Sequence, residues 1–329
     1  MIRKFPLALC AGIALCAPAS AETLRVCAED SPAEACDFSG HDAIQAAVDH
    51  AADGDEIRLA PGRYVPASVR DVPFQDIVAR GMVVVRDKRL SIEGGEGVVL
   101  DGAEGVPSIA FVLENADVTL RNLEIRDFRW EEEEDDTYDG HGVFAIDSRV
   151  RANGIVMRGI VKMALTGRGR TLIDASGLRL LDGHLGIWLE ETAHAHVHDS
   201  VIAGGDSAGI ATYGDSTLHL FNSVVANNTD DGIYAADNST IVAAQSIIVE
   251  NAPYGINAAG NGRVTVRASS IHGNSTPANT EFEPDQLIIG DDVSRADPML
   301  DAHWRPQPGS PLLAGDQAQM PIGPTGEQP

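Results

Sequence analysis

Apolar residues recur along most of this chain in short alternating runs, and the runs themselves recur at a fixed interval. Gly186, Gly209, Gly232 and Gly255 stand 23 residues apart, and the same spacing carried back one step lands on Met163. Behind each glycine comes an isoleucine (Ile187, Ile210, Ile233, Ile256), then a polar turn, then an alternating pattern ending in Ser200, Ser223, Ser246 or Ser269. A unit this short, with two or three strand-length patterns and no helix-length apolar stripe, cannot bury its apolar face alone and must stack on copies of itself. The pattern predicts coils of a parallel β-solenoid, with the four isoleucines forming an internal ladder at about 4.8 Å spacing. The serines form a second column, placed either inside near a corner and bonded to turn backbone, or outside.

Ahead of the repeat the period changes. From His41 to Ala52 the apolar positions Ile44, Ala47, Val48 and Ala51 fall at helical spacing, and Asp53, Gly54 and Asp55 end the run. A strand over Glu56 to Ala60 and a Pro61-Gly62 turn follow. An amphipathic helix here is what a solenoid needs to cover the apolar interior of its first coil. From Met82 onward short β patterns alternate with glycine, interrupted by loops at Val65 to Ala79 and Arg129 to Asp139; beyond Pro277 the chain becomes rich in proline and glycine. The expected organisation is one domain: an N-terminal cap over 22–80, a parallel β-helix over 81–276, and a C-terminal cap and tail over 277–329.

The first 21 residues have the form of a secretory signal, with Arg3 and Lys4, an apolar run from Leu7 to Cys16, and the small residues Ala19, Ser20 and Ala21 before Glu22. The apolar run is shorter than the ~20 residues a membrane span needs. Removal of this segment leaves Cys27 and Cys36 as the one remaining pair, and two nearby cysteines in an exported chain are expected to join as a disulfide. The formal charge is −25; losing Arg3 and Lys4 takes 24 basic residues to 22 against 49 acidic ones, giving −27. Such a field disfavours nucleic acid and anionic membranes. It also repels an acidic polysaccharide unless a cation or a local basic groove intervenes. The expectation is a periplasmic or secreted monomer.

The stretch IQAAVDHAADGDEIRLAPGRY, then LSIEGGEGVVLDG, then the glycine-led coils, together resemble the right-handed parallel β-helix proteins of the pectin lyase-like superfamily, and the ending DPMLDAHWRPQPGSPLLAG is similar to the closing segment of many of them. The resemblance implies an all-β fold, a right-handed parallel β-helix (solenoid) with an N-terminal capping helix. It leaves the chemistry open, because that fold hosts lyases, hydrolases, epimerases, adhesins and binding scaffolds.

The segment WEEEEDDTYDGHG, from Trp130 to Gly142, breaks into the solenoid just before a coil begins. Tyr138, Asp139 and His141 bring phenol, carboxylate and imidazole together, the groups that proton transfer at a sugar carbon or glycosidic oxygen requires. Asp135 and Asp136, within the acidic run from Glu131, supply the oxygen ligands that Ca²⁺ prefers. Gly140-His141-Gly142 resembles the Gly-His-Gly of polygalacturonase-like hydrolases, although that family's Asn-Thr-Asp and Arg-Ile-Lys signatures are missing. Tyr138, Asp139 and His141 also resemble the Asp-Pro-His site of alginate epimerases, with Gly140 in place of the proline. The plainer alternative is a turn, since Asp206, Asp230 and Asp231 stand at comparable places before later glycines.

Two further groups follow from projecting the repeat. Phe144, Trp188 and Tyr234 share the second position after the glycine, with Tyr213 two residues later in its coil and Glu190 close by. These rings face outward, either as a platform for sugars or packed beneath loops. His194, His196 and His198 point to one outer face with His219 one coil on, a metal-binding or simply solvated surface. Arg263 and Arg267 lie two coils from His219 on that face, and no lyase motif is formed. The combined reading is an exported β-helix that engages a polysaccharide by cleavage or epimerisation, with Asp139 and His141 as acid-base pair, Tyr138 in support and no cofactor beyond Ca²⁺. The alternatives are a non-catalytic carbohydrate-binding scaffold and a periplasmic metal-site accessory protein.

Overall fold

A computed structural model describes residues 21–29, 36–131, 137–279 and 285–313. The segment expected as a secretory signal, up to Ser20, and the calcium ligands expected at Asp135 and Asp136 lie outside the described residues. Among the described residues three long sheets, here A, B and C, wrap around one apolar interior, with 12 strands in A, nine in B and 11 in C, all parallel but for one strand of C. One coil runs Leu185–Leu189 in sheet C, His194–His198 in A and Val201–Ala203 in B, then re-enters C at Ile210–Thr212. Strict alternation within each strand sends one set of side chains inward and leaves the other for the surface.

The isoleucine ladder is the spine of the interior. Ile187 pairs with Ile210, Ile210 with Ile233, and Ile233 with Ile256, and all four are fully buried. The register carried back to Met163 is corrected: Met163 pairs with Leu185 and Leu165 with Ile187, so Ala164 stands opposite Gly186. The coil is one residue short because its turn from Leu181 to Leu185 is tighter than the next, from Ala203 to Ala208.

The periodic glycine has a steric cause. A Cβ on Gly209 would lie 2.8 Å from the Gly232 carbonyl oxygen and 2.7 Å from the Asn228 side-chain nitrogen. That asparagine belongs to a buried ladder which the strand patterns did not announce: Asn228 Nδ2 donates to Asn251 Oδ1 at 2.8 Å, and Asn251 Nδ2 to Asn274 Oδ1 at 2.9 Å. The serine column is inside. Ser200, Ser223, Ser246 and Ser269 are buried, and each of the last three accepts from the backbone N–H of the serine before it at 3.0–3.3 Å. Both ladders satisfy backbone and side-chain groups that a tight corner would otherwise bury unpaired.

Both ends of the solenoid are covered. The capping helix spans Ala43–His50, shorter than the apolar spacing suggested, and buries Ala43, Ile44, Ala47 and Val48. Gln45 locks it to sheet C by bonding both backbone groups of Val84. Cys27 and Cys36 form a disulfide with their Cα atoms 6.0 Å apart. At the other end Leu287–Ile289 adds the last strand of sheet A, and Leu300, Trp304 and Leu312 fold back onto the outer face of sheet B against Val201, Val224 and Ile247.

The segment from Val65 to Ala79, expected as a loop, contains half of a β-hairpin. Arg70–Phe74 pairs antiparallel with the start of Ile77–Arg86, and Gly81 marks where that long strand joins sheet C beside Ile109. The alternation of Val72, Ile77 and Ala79 gives the hairpin an apolar underside, which it buries on Val112, Phe144 and Ile146.

Candidate functional site

The outward column of sheet C runs Phe144, Thr166, Trp188, Ala211, Tyr234, Asn257, one residue per coil. Its two ends differ. Phe144 faces away from the interior but is fully buried beneath the hairpin, so it takes no part in an open platform. Trp188, Tyr213 and Tyr234 are half-exposed. Ala211, with no bulk of its own, leaves room for the Tyr213 ring, which stacks on Trp188 with centroids 4.4 Å apart and meets Tyr234 at 5.7 Å, edge to face. Burial raises the Tyr213 phenol to about 12, so its hydroxyl remains a donor.

These rings line a hollow of about 450 Å³ together with Lys162, His184 and Asp231. Lys162 Nζ sits 3.3 Å from the centroid of the Trp130 ring. His184 Nδ1 is bonded to the Asp206 carboxylate. Glu190 accepts from Trp188 Nε1 at 3.2 Å and pairs with Arg168 at 3.2 Å, which makes it the group that orients the indole. Arg168 also pairs with Glu191 and lies over the Phe74 ring, while Gln75 donates to Glu191. The hairpin tip is thereby tied to the rim of the hollow.

Asp231 is the unusual member. It is buried, one oxygen accepts from Asn257 Nδ2 at 2.7 Å, and the other has no hydrogen-bond partner among the described residues. Burial first, and the adjacent Asp230 charge after it, raise its carboxyl from 3.8 to about 6. A carboxyl with that affinity holds and releases a proton near neutral pH, as a general acid or base must. The sequence carries a signal for it, although Asp231 stands where a turn is expected. The residue before the periodic glycine is Leu185 or Ala208 in the two preceding coils, both buried and apolar, and an aspartate in that slot is desolvated by the same packing.

Tyr138, Asp139 and His141 do come together, but in an enclosed place. Tyr138 and His141 stack at 5.7 Å, and Phe144 meets both rings edge-on. Asp139 is 0% and His141 1% exposed. The acid-base pair expected of them is not presented to an open face: Gly140, between the two, adopts a left-handed φ of 69°, and the neighbouring Tyr138 packs against the hairpin. Asp139 accepts from the Glu131 N–H at 3.2 Å and lies 3.7 Å from Arg80. Its pKa is raised, by burial above all. His141 is bonded to Thr166 Oγ1 at 3.3 Å, and burial, with Lys162 nearby, lowers it to about 3, so it stays neutral.

The histidines occupy the outer face of sheet A as projected, with His196 opposite His219. Their ring centroids are 4.8 Å apart, edge to face. Among the described residues no three His, Cys, Asp or Glu side chains are grouped to hold a metal ion.

A family model described as a right-handed beta helix region matches residues 108–282. The chain belongs to that family. Solved structures with the same right-handed β-helix include pectate lyase Pel9A, 11% identical, with a TM-score of 0.60 over 84% of this chain and 78% of that one. The A-module of the Azotobacter vinelandii mannuronan C-5 epimerase AlgE4 is 15% identical, with a TM-score of 0.53 over 76% of this chain and 69% of that one. The A-module of AlgE6 from the same organism is 17% identical, with a TM-score of 0.54 over 72% and 68%. At these identities the likeness is one of fold. No curated protein sequence matches this β-helix chain.

Proposed function

We propose that this β-helix protein binds an extended polysaccharide across the aromatic hollow of sheet C and acts on it by proton transfer from or to Asp231, in a cleavage or an epimerisation. The observation that carries the reading is the conjunction, in one hollow, of three partly open aromatic rings with a buried carboxyl that titrates near neutrality. Aromatic faces stack on the apolar faces of sugar rings, Lys162 supplies a cation for a substituent, and Tyr213 supplies a donor. The fold it shares with a pectate lyase and two mannuronan epimerases supports a polysaccharide as the substrate class. Binding without turnover is the second reading, favoured by the enclosure of Asp139 and His141.

The test is a titration of the purified protein with oligomers of galacturonate, mannuronate, cellulose and xylan. Removing two stacking faces in Trp188→Ala/Tyr213→Ala is expected to weaken binding of the preferred oligomer about 10- to 100-fold, at about 0.5–1.5 kcal/mol per ring contact plus lost burial. Unchanged affinity would move the site elsewhere. Export to the periplasm or beyond is part of the same proposal and is supported by the Cys27–Cys36 disulfide. Intact-mass measurement of protein recovered from the cell envelope or medium should give a chain beginning at Glu22 with no free thiol; a retained N-terminus would contradict export by cleavage.

A further inference from the structure

We propose that the outward face of sheet A is a second saccharide site, a flat cationic track that holds a carboxylate-bearing polysaccharide and grips it harder in acid. The evidence is a segregation of charge. Over eight consecutive strands, from Arg89–Glu93 to Arg263–Arg267, the outward positions carry six arginines: Arg89, Arg121, Arg149, Arg151, Arg263 and Arg267. The same face carries His194, His196, His198 and His219, and against them stand three acids, Glu93, Asp117 and Asp174. In the whole chain 49 acidic residues outnumber 24 lysines and arginines. Arginine exceeds acid two to one on this face, where the rest of the molecule has the opposite balance. A local basic stripe is the feature that lets an acidic protein take an acidic polymer.

At the middle of the stripe lies a hollow of about 610 Å³ lined by Arg149, Arg151, Asp174, His194, His196 and His219. Parallel pairing places these groups in successive coils, Arg151 beside Asp174, Asp174 beside His196, His196 beside His219, at the strand spacing of about 4.8 Å. A polymer with a carboxylate on each sugar meets such a series in register with the axis. Imidazole is the side chain that gains charge between about pH 8 and 5, so a histidine-bearing face becomes more cationic in acid while a uronate's carboxylates remain ionised. His219 charges later than an ordinary histidine, because it is partly desolvated and His196 and His194 repel a further proton. A bound carboxylate relieves that repulsion.

The groups facing the hollow from its neighbours bear on the sign. Asp117 is engaged by Arg151 at 2.6 Å, and Asp199 by His198 at 2.8 Å, which leaves Asp174 as the acid within the hollow and Glu93 at the far end of the track. Thr240–Ala244 contributes no charge, and Arg263 and Arg267 follow it. A thread is favoured over a membrane surface because Asp87, Asp147, Asp215 and Asp237 are exposed in the turns that lead into the sheet. A plane of anionic headgroups would press against them, whereas a thread along the face avoids them.

The track and the aromatic hollow lie on different sheets, so they can be tested apart. In the Trp188→Ala/Tyr213→Ala protein, oligogalacturonate is expected to bind still, about tenfold or more tightly at about pH 5 than at about pH 8, and more weakly with added salt. Adding His196→Gln/His219→Gln should reduce the pH dependence to what His194 and His198 supply, and Arg149→Gln/Arg263→Gln should weaken binding at both pH values. All four residues are exposed, so none of these changes should alter the melting temperature. Loss of all oligogalacturonate binding in the aromatic double variant would overturn the proposal. So would equal binding of a neutral oligomer, equal or tighter binding to anionic phospholipid vesicles, or capture of zinc by the histidines without saccharide binding.

Discussion

Replacing Ile233 with aspartate is expected to abolish folding. Its side chain is fully buried between Ile210 and Ile256, in a ladder with no polar partner to offer. An unpaired carboxylate there costs several kcal/mol in desolvation, on top of the lost packing of a buried isoleucine. That is of the order of the whole stability of a typical domain. Val242→Asp in the next strand of the same coil is the control, because Val242 faces outward beside His219 and Thr265. Thermal melting followed by circular dichroism should show no cooperative transition for Ile233→Asp and a nearly native one for Val242→Asp. A native-like melt for Ile233→Asp would mean the ladder is not the core.

Asp231→Asn is expected to separate activity from stability, in opposite directions. Positioned proton transfer contributes about 10²- to 10⁴-fold to rate, so turnover of the preferred polysaccharide should fall by around that factor. Stability should rise. The Asp231 carboxyl titrates at about 6 in the folded chain against 3.8 ordinarily. A raised pKa means the fold favours the protonated form: the contribution is intact below about pH 4 and is lost as pH rises through about 6. Ionisation thus costs the native state about 3 kcal/mol at neutral pH, an order-of-magnitude figure from a shift of roughly two units. Asparagine keeps an oxygen for the Asn257 bond and removes the charge. Melting curves across pH should be flatter for the variant, with its advantage growing from about pH 4 and levelling off above about pH 6. A variant less stable than wild type at pH 8, or one with full turnover, would remove Asp231 from the chemistry.

The coils were legible in the sequence because a solenoid repeats its packing problem at every turn. Ile187, Ile210, Ile233 and Ile256 answer it with the same residue, and the periodic glycine marks where the next coil's backbone comes too close for a Cβ. The outward histidines and the Trp188–Tyr234 column followed from alternation alone. Burial by a distant segment was not legible. Asp139 and His141 have the residue types of an active site, yet both are buried, and the neighbouring Phe144 lies beneath the hairpin from Arg70, some seventy residues earlier in the chain. Asp231 was obscured for the converse reason. It looks like any turn aspartate until its slot is compared with Leu185 and Ala208, where packing rather than solvent sets the environment.

The most direct measurement is a crystal structure of Asp231→Asn soaked with the oligosaccharide that wild type binds best. The expected result is sugar rings lying on Trp188, Tyr213 and Tyr234, with one sugar within hydrogen-bond reach of residue 231. A saccharide bound instead over Tyr138, with Asp139 and His141 uncovered by displacement of the hairpin, or an empty sheet C hollow at saturating ligand, would contradict it.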